Sequence, residues 1–390
     1  MSELSRRAVL SSAFAVVATS ATVGAAAAVG AGSAGSAGST TGSGAGNAVT
    51  PDHTRSHSST PPPTSTPSSP PSSTPPGYYT GDFKVSMNLY CFNVNIDAWV
   101  KNRRGAPPLD TLSAIKWAHT AGFDAVDVPA YYVPGYSATA VPTDTATVKA
   151  FVDQIKATAA AQGLPISGTG IGNDFAQTDP NLRALDVQRC HFWIDMAAEM
   201  GAPMFRVFSG VVPTDLTTAG GWTGVAQSRI VPALQDIAAY AATKGVKVAL
   251  QNHGDMTATA DQTIQIMRWV GNPNLVLLDD TGYFRPFQAA TGANYDWYGD
   301  IDKVLPYAGD IQVKLKPAGA DSTGPLMNFD QLLSGVRSSP YRGFVNLERL
   351  WYKTDSDNPK NQPTPPYTEV SQFLAQVRTA LAATKSGPIS

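Results

Sequence analysis

Between residues 84 and 384 the chain alternates eight times between a short apolar segment and a longer amphipathic one. Short apolar runs favour strands, and apolar residues spaced three and four positions apart favour helices. The predicted strands cover 84–92, 124–130, 165–171, 203–210, 246–250, 274–280, 310–316 and 343–352. Eight strand–helix pairs predict an α/β fold of the (β/α)8 TIM barrel type. An open doubly wound sheet is disfavoured, because no glycine-rich phosphate-binding turn follows the first strand.

The part of the chain before this repeat has a different composition. Arg6 and Arg7 precede a weakly apolar Ala/Val run with small residues after it, which predicts a twin-arginine signal peptide over 1–30. Residues 31–77 are rich in Gly, Ala and Ser and then in Pro, Ser and Thr, which predicts a disordered linker before a barrel over 78–385. We therefore expect an exported protein, extracellular or cell-wall associated. A stable membrane anchor is not expected, because the leader is barely apolar enough to remain in a bilayer.

Charge and cysteine content narrow the functional classes. The net charge is −2 and the pI is near 6.2, so no strong positive field draws the chain to nucleic acid. The two cysteines, Cys91 and Cys190, are too few for a disulfide scaffold. We expect two buried free thiols, with a single bridge between them as the alternative.

Polar residues gather where the predicted strands end, which in a TIM barrel is the location of the active site. They are Asn88, Asp127, Asn173, Asp174, Arg206, Ser209, Gln251, Asn252, His253, Asp279, Asp280, Gln312, Lys314, Lys316 and Glu348. Aromatic residues that can stack on sugar rings follow closely: Tyr131, Tyr132, Tyr136, Phe208, Tyr283, Phe284 and Trp351. This mixture of amides, carboxylates, cations and rings predicts a site for a small carbohydrate. Among these residues, the predicted substrate-binding set is Asn88, Asp127, Arg206, Asn252, Tyr283 and Trp351. We expect Asp279 to point away from Asp280.

Six segments in order resemble the xylose isomerase-like TIM barrels, a family that includes sugar isomerases, ketose 3-epimerases and endonuclease IV. They are "AGFDAVDV", "AAEMGAPMFRVFSG", "VALQNHGD", "LVLLDDTGYF", "IQVKLK" and "GFVNLE". The resemblance extends over most of 84–384 and looks closest to exported members of the family. A nuclease is disfavoured, because its three metals need more His and acidic ligands than this chain offers.

In the isomerases and epimerases of this family, a divalent metal is held by Glu, Asp, His and Glu at the ends of strands five to eight. The matching residues here are Gln251, Asp280, Gln312 and Glu348, with Lys314 in place of Gln312 if the register shifts by two. Two carboxylates and two amides would hold Mn²⁺ or Mg²⁺ more weakly than the family's set. Alternatively, the ammonium of Lys314 takes the place of the metal, and no metal binds. The two interpretations exclude each other, because a cation beside an ammonium would be repelled.

The resemblance implies a sugar isomerase or epimerase that abstracts a proton next to a carbonyl. Its catalytic residues would be Glu348 as the base, Lys314 or a metal at the enolate oxygen, and His253 or Asp127 as a second group. Gln251 stands where the family has a second base, and an amide does not accept a proton near neutral pH. This substitution leaves two alternatives open: a lyase or hydrolase acting on oxidised glycosides, or a carbohydrate-binding barrel without catalysis.

Overall fold

Eight parallel strands close into a barrel in the computed structural model, which describes residues 77–103, 105–284, 297–317, 325–351 and 357–387. The strands are β1 (Val85–Asn88), β2 (Ala125–Asp127), β3 (Ile166–Gly170), β4 (Met204–Phe208), β5 (Lys247–Gln251), β6 (Leu275–Asp280), β7 (Ala308–Lys314) and β8 (Val345–Glu348). Each strand pairs in parallel with its neighbours in chain order, and β1 pairs with β8 to complete the circle. The predicted (β/α)8 TIM barrel is confirmed.

Helices surround the barrel and connect its strands. They are α1 (Asn93–Val100), α2 (Thr111–Ala121), α3 (Thr145–Ala161), α4 (Pro180–Met200), α5 (Gly221–Val225), α6 (Val231–Ala242), α7 (Ala260–Val270), α8 (Trp297–Val304), α9 (Phe329–Ser338) and α10 (Tyr367–Ala383). Local sequence sets many of their ends. At α2, for example, Asp110 accepts the Ser113 N–H at 2.8 Å, and Gly122 leaves the helix with a left-handed φ of 90°.

Several predicted strands extend past the observed ones: the prediction over 124–130 is wrong after Asp127, and β1 and β8 end early because side chains there bond to the backbone. The prediction over 84–92 is wrong after Asn88, whose side-chain oxygen accepts the Tyr90 N–H at 2.8 Å and begins a 3₁₀ turn. The prediction over 343–352 is wrong after Glu348, where the next N–H, that of Arg349, donates to Cys91 Sγ at 3.2 Å. Both strands therefore end with a polar side chain at the barrel rim.

The apolar core lies between the strands and the helices, whereas the inside of the barrel carries several polar side chains. Ser86 and Ser167 share a hydrogen bond of 2.7 Å across the interior. Cys91 and Cys190 are both buried and free, as expected. The polar interior leads upward to the C-terminal ends of the strands.

The predicted signal peptide over 1–30 and almost all of the predicted linker over 31–77 lie outside the described residues. Among the helices that the structure describes, none is long and apolar enough to cross a membrane.

Candidate functional site

The ammonium of Lys314 lies between two carboxylates at the C-terminal end of the barrel. Its Nζ is 3.1 Å from Asp280 Oδ2, and it also forms a short ion pair with Glu348 Oε1. The three side chains come from β6, β7 and β8, which are neighbours, with Lys314 in register with Glu348. Lys314 is 1 % exposed and Asp280 is fully buried, so water screens this cluster little.

Three amides complete the hydrogen bonds of this cluster. Gln251 Nε2 donates to Asp280 Oδ2 at 2.5 Å, and Gln312 Nε2 donates to Glu348 Oε2 at 2.6 Å. Asn88 Nδ2 in turn donates to Gln312 Oε1 at 3.3 Å. Two adjacent residues of one face of β7, Gln312 and Lys314, thus both contact Glu348, because the strands of the barrel are staggered. The structure brings Gln251, Asp280, Gln312, Lys314 and Glu348 into one contact network.

Backbone hydrogen bonds fix the position of the Asp280 carboxylate. The Asn252 amide accepts the Asp280 N–H at 2.7 Å and donates to the Asp280 carbonyl at 2.9 Å, which joins the ends of β5 and β6. The Gly282 N–H donates to Asp280 Oδ1 at 3.0 Å, and Thr281 Oγ1 accepts the Lys314 N–H at 3.2 Å. Asn252 is fully buried and helps to position Asp280 through these two bonds, and its predicted contact with substrate remains a prediction.

His253 belongs to an aromatic stack beside the cluster. Its ring lies 3.9 Å from that of Tyr283 and 4.6 Å from that of Phe208, measured between centroids. Lys314 Nζ lies 5.3 Å from the centroid of the Tyr283 ring, within cation–π range. Burial, together with the positive charges of Lys314 and Arg206, lowers the pKa of His253 well below its usual value. The imidazole is therefore neutral at neutral pH, and adding a proton to it in this environment is unfavourable. Its predicted catalytic role remains a prediction.

Arg206 occupies the opposite side of the rim, on β4. Its guanidinium lies 4.3 Å from the centroid of the Phe208 ring and donates from Nη1 to the Ile171 carbonyl at 2.7 Å. A second, longer bond of 3.5 Å runs from Nη2 to Tyr131 Oη. Gly170 leaves room for this side chain, because a Cβ there would come within 2.9 Å of Arg206 Nε.

Asp127 is the last residue of β2 and contacts β8 through Asn346. Asn346, two residues before Glu348 on the same face of β8, donates from Nδ2 to Asp127 Oδ2 at 3.0 Å and to Asp310 Oδ2 at 3.4 Å. Burial raises the pKa of Asp127 to about 6, and the charge of Arg206 partly opposes this shift. Asp127 is 4 % exposed and accepts a hydrogen bond from Asn346, and its predicted contact with substrate remains a prediction.

The remaining predicted residues lie at the margin of the site or behind it. Trp351 donates from Nε1 to the Cys91 carbonyl at 2.8 Å and packs against the Arg349 guanidinium, so its ring stands beside β8. Asp279 is fully buried on the outer face of β6, as expected, and burial raises its pKa well above the usual range. The strand-end rule missed Asn346 and Gly170. Asn346 could have been predicted from the sequence, because it lies two residues before Glu348 and therefore on the same face of β8. Gly170 could not, because its role depends on its distance to Arg206 in the folded barrel.

The donor set does not fit a tightly bound divalent cation. Asp280 and Glu348 are the only two carboxylates in the contact network among the described residues, and Lys314 already forms an ion pair with each. Gln251 also turns its NH₂ group, which cannot ligate a metal, toward Asp280. Within the described ranges no three His, Cys, Asp or Glu side chains are arranged to hold a metal ion. Of the two interpretations from sequence, this geometry favours the ammonium in place of the metal.

Comparison with known proteins now decides the family. The family model described as xylose isomerase-like TIM barrel matches residues 115–377, most of the barrel. The chain belongs to this family. No curated protein matches the chain.

Solved structures of the xylose isomerase-like TIM barrel fold include several epimerases. A D-allulose 3-epimerase from Methylomonas sp. aligns with a TM-score of 0.55 and 15% identity, covering 76% of this chain and 98% of that one. A 3-keto-D-glucoside 4-epimerase from E. coli gives the same TM-score and identity, with 76% and 100% covered. An L-ribulose 3-epimerase gives 0.56 and 17%, with 78% and 96% covered. At this identity the likeness establishes the shared fold.

Proposed function

We propose that the protein is a sugar isomerase or epimerase-like enzyme that abstracts a proton next to a carbonyl of a small carbohydrate. Glu348 is the base, and Lys314 holds the oxygen on which negative charge develops. The observation that carries the proposal is the contact of one buried ammonium with both Asp280 and Glu348. The epimerase activities of the structural neighbours support the same class of chemistry.

The side chains support proton transfer on one face of the substrate. A substrate carbonyl that binds at Lys314 shares the ammonium with Asp280, and Glu348 then takes the proton from the adjacent carbon. The C–H electrons form the carbon–carbon double bond of the enolate, whose oxygen anion is stabilised by the Lys314 N–H groups. Gln312 holds Glu348 in place through its second oxygen. Because Gln251 cannot serve as a second base, the same carboxyl group returns the proton.

The fate of the enolate separates isomerisation from elimination. When the carbon that loses the proton carries a hydroxyl group, transfer of that hydroxyl proton to the former carbonyl oxygen and return of the carbon-bound proton to the former carbonyl carbon give an isomer. Departure of an oxygen substituent from the β carbon instead gives an unsaturated product, as in a lyase acting on oxidised glycosides. Both outcomes need Glu348 and Lys314, so the loss of the first proton is the step to test.

Solvent deuterium incorporation tests that step directly. Incubation with a panel of ketoses and 3-keto sugars in D₂O should place deuterium next to the carbonyl, as measured by NMR. Glu348→Gln should lower the rate by about 10³-fold and Lys314→Met by about 10²-fold, because one removes the base and the other the oxyanion partner. Lys303→Met, which removes a half-exposed ammonium on α8, should leave the rate unchanged.

Two results would contradict the proposal. Sugar binding without deuterium incorporation, unchanged by Glu348→Gln, would indicate a carbohydrate-binding barrel. Cleavage of a glycoside without exchange into its sugar would indicate a hydrolase.

We also propose that the enzyme is exported by the twin-arginine route. Support comes from Arg6 and Arg7 before a weakly apolar run and from the Pro/Ser/Thr-rich stretch that follows. The full-length chain should be recovered outside the cytoplasm with its N-terminus shortened near residue 30, as read by N-terminal sequencing. Replacing Arg6 and Arg7 by lysine should retain the uncleaved chain in the cytoplasm, and equal export of both forms would contradict this route.

A further inference from the structure

We propose that Arg206 forms an anion subsite across the barrel mouth from Glu348, and that the substrate is therefore a sugar acid whose carboxylate binds there. The inference rests on the proposed function for the position of the reacting carbon. The subsite itself depends only on Arg206 and its surroundings.

Arg206 is a buried cation without a carboxylate partner. It is 7 % exposed, and across the described residues no Asp or Glu is paired with it, whereas the buried Arg189 pairs with Asp186 at 2.6 Å. Another buried arginine, Arg337, also lacks a carboxylate but donates four hydrogen bonds, to Thr384 and to three backbone carbonyls. Arg206 donates only two, one of them 3.5 Å long. A guanidinium held out of water with most of its donors unused is costly, unless a ligand pairs with it.

The surroundings hold the guanidinium plane in one orientation. Phe208 covers one side at 4.3 Å, the Tyr131 ring lies 5.9 Å away, and the Ile171 carbonyl anchors Nη1. Gly170 provides the space in which Nε lies, since a Cβ there would also come within 2.6 Å of the Arg206 carbonyl. A guanidinium fixed in this way offers a flat pair of N–H donors, the geometry that a carboxylate accepts with both oxygens.

The acid of the barrel interior whose pKa responds to Arg206, Asp127, already has another hydrogen-bond partner. Asp127 is close enough for the charge of Arg206 to affect its pKa, yet its Oδ2 accepts from Asn346 at 3.0 Å and it forms no ion pair with Arg206. The positive charge of Arg206 is therefore available to a ligand. The charges of Lys314 and Arg206 help to keep His253 neutral, so Arg206 is not joined by a second cation from this ring.

The position of Arg206 on β4, opposite Glu348 on β8, sets how far a ligand must extend to contact both residues. In a closed barrel of eight strands, β4 is four strands from β8 in either direction, so Arg206 and Glu348 face each other across the mouth. A sugar whose reacting carbon lies at Glu348 and Lys314 directs its far end toward Arg206. A carboxylate at that end, as in a uronic acid, accepts both N–H donors, and its single negative charge matches the single charge of Arg206 better than a doubly charged phosphate does.

Calorimetric binding to the full chain tests the subsite. The probes are D-glucuronate and D-galacturonate, each compared with its parent neutral hexose and with the hexose 6-phosphate. We expect each acid to bind at least 10-fold more tightly than its neutral parent, with the difference falling as salt is added. Arg206→Met should remove this difference, while Arg268→Gln, which loses the same charge from the exposed end of α7, should keep it. Gly170→Ala keeps the charge but crowds Nε, so it should reduce the difference as well; circular dichroism reports whether each variant is folded.

The outcomes distinguish the subsite from the proposed chemistry. If neither acid binds more tightly than its neutral parent, or if the preference survives Arg206→Met, the subsite is wrong. A stronger preference for the 6-phosphates would assign the site to phosphate and overturn the sugar-acid inference. Acid binding that depends on Arg206, without deuterium incorporation at any carbon, would retain the subsite and reject Glu348 as the base.

Discussion

Lys314 is the single residue that most separates this site from a metal centre. Where the family's set has His, the chain has Gln312, and the next inward-facing residue of β7 carries an ammonium into contact with both remaining carboxylates. An ammonium stabilises a developing oxyanion with N–H donors and one positive charge, where a divalent cation would act as a Lewis acid. Burial raises the pKa of Asp280 to about 6, and the charge of Lys314 opposes this shift while that of Glu348 adds to it.

Removing that ammonium should turn the cluster into a weak cation site. In Lys314→Met, two buried carboxylates lose their shared partner and either take up protons or bind a cation. We expect millimolar Mn²⁺ to raise the thermal midpoint of Lys314→Met by several degrees and to leave that of the unsubstituted protein unchanged, as measured by differential scanning fluorimetry. EPR of free Mn²⁺ should show the matching uptake.

Two control variants test whether the Mn²⁺ response depends on the loss of Lys314 and on both carboxylates. Lys303→Met, on the surface of α8, should respond like the unsubstituted protein. The double substitution Lys314→Met with Glu348→Gln should lose the response, since one carboxylate remains. Tight Mn²⁺ binding by the unsubstituted chain would show that Lys314 moves aside for a metal, and the fixed-charge interpretation would be abandoned.

At the scale of strands and helices, much of the site follows from strand parity and from where each strand ends. The two-residue period placed Gln312 and Lys314 on one face of β7 and separated Asp279 from Asp280 on β6. Helix limits followed from capping residues such as Asp110, because a cap needs only neighbours in sequence. The overlong prediction for β1 failed for the converse reason: the hydrogen bond from the Tyr90 N–H to Asn88 interrupts an otherwise apolar run.

Side-chain contacts between different strands could not be predicted from the sequence, because they depend on the stagger of the strands and on distances across the barrel. Because Gln312 and Lys314 lie on the same face of β7, the sequence predicted that one or the other would lie in the site. In the structure the strands are staggered so that both side chains contact Glu348. The sequence placed Asn252 at the barrel rim, and the structure shows that its side-chain amide forms two hydrogen bonds with the backbone of Asp280. The lack of a carboxylate beside Arg206 within the described residues likewise required knowing where Asp127 points.

At the scale of the whole molecule, the barrel interior holds an uncommon number of acids away from water. Asp127 and Asp310 share Asn346 below the rim, and burial raises the pKa of both. A raised pKa means that the folded protein holds these protons more tightly than the unfolded chain does. Stability from such groups is therefore greatest in acid and is lost as the pH rises through the folded pKa.

The pH dependence of unfolding should reveal Asp127. Its pKa rises from 3.8 to about 6, and each unit corresponds to about 1.4 kcal/mol, so its contribution to the free energy of unfolding should fall by roughly 3 kcal/mol between about pH 3 and about pH 7. Asp127→Asn has no titrating carboxyl group at this position. In urea unfolding, the free energy of unfolding of the variant should therefore rise relative to that of the unsubstituted protein as the pH increases across that range, by up to the same amount. Asp153→Asn, at an exposed position of α3, should run parallel to the unsubstituted protein. If the curve of Asp127→Asn is parallel as well, Asp127 is ionised in the folded barrel at all these pH values, and the interior must supply its charge with a partner beyond Asn346.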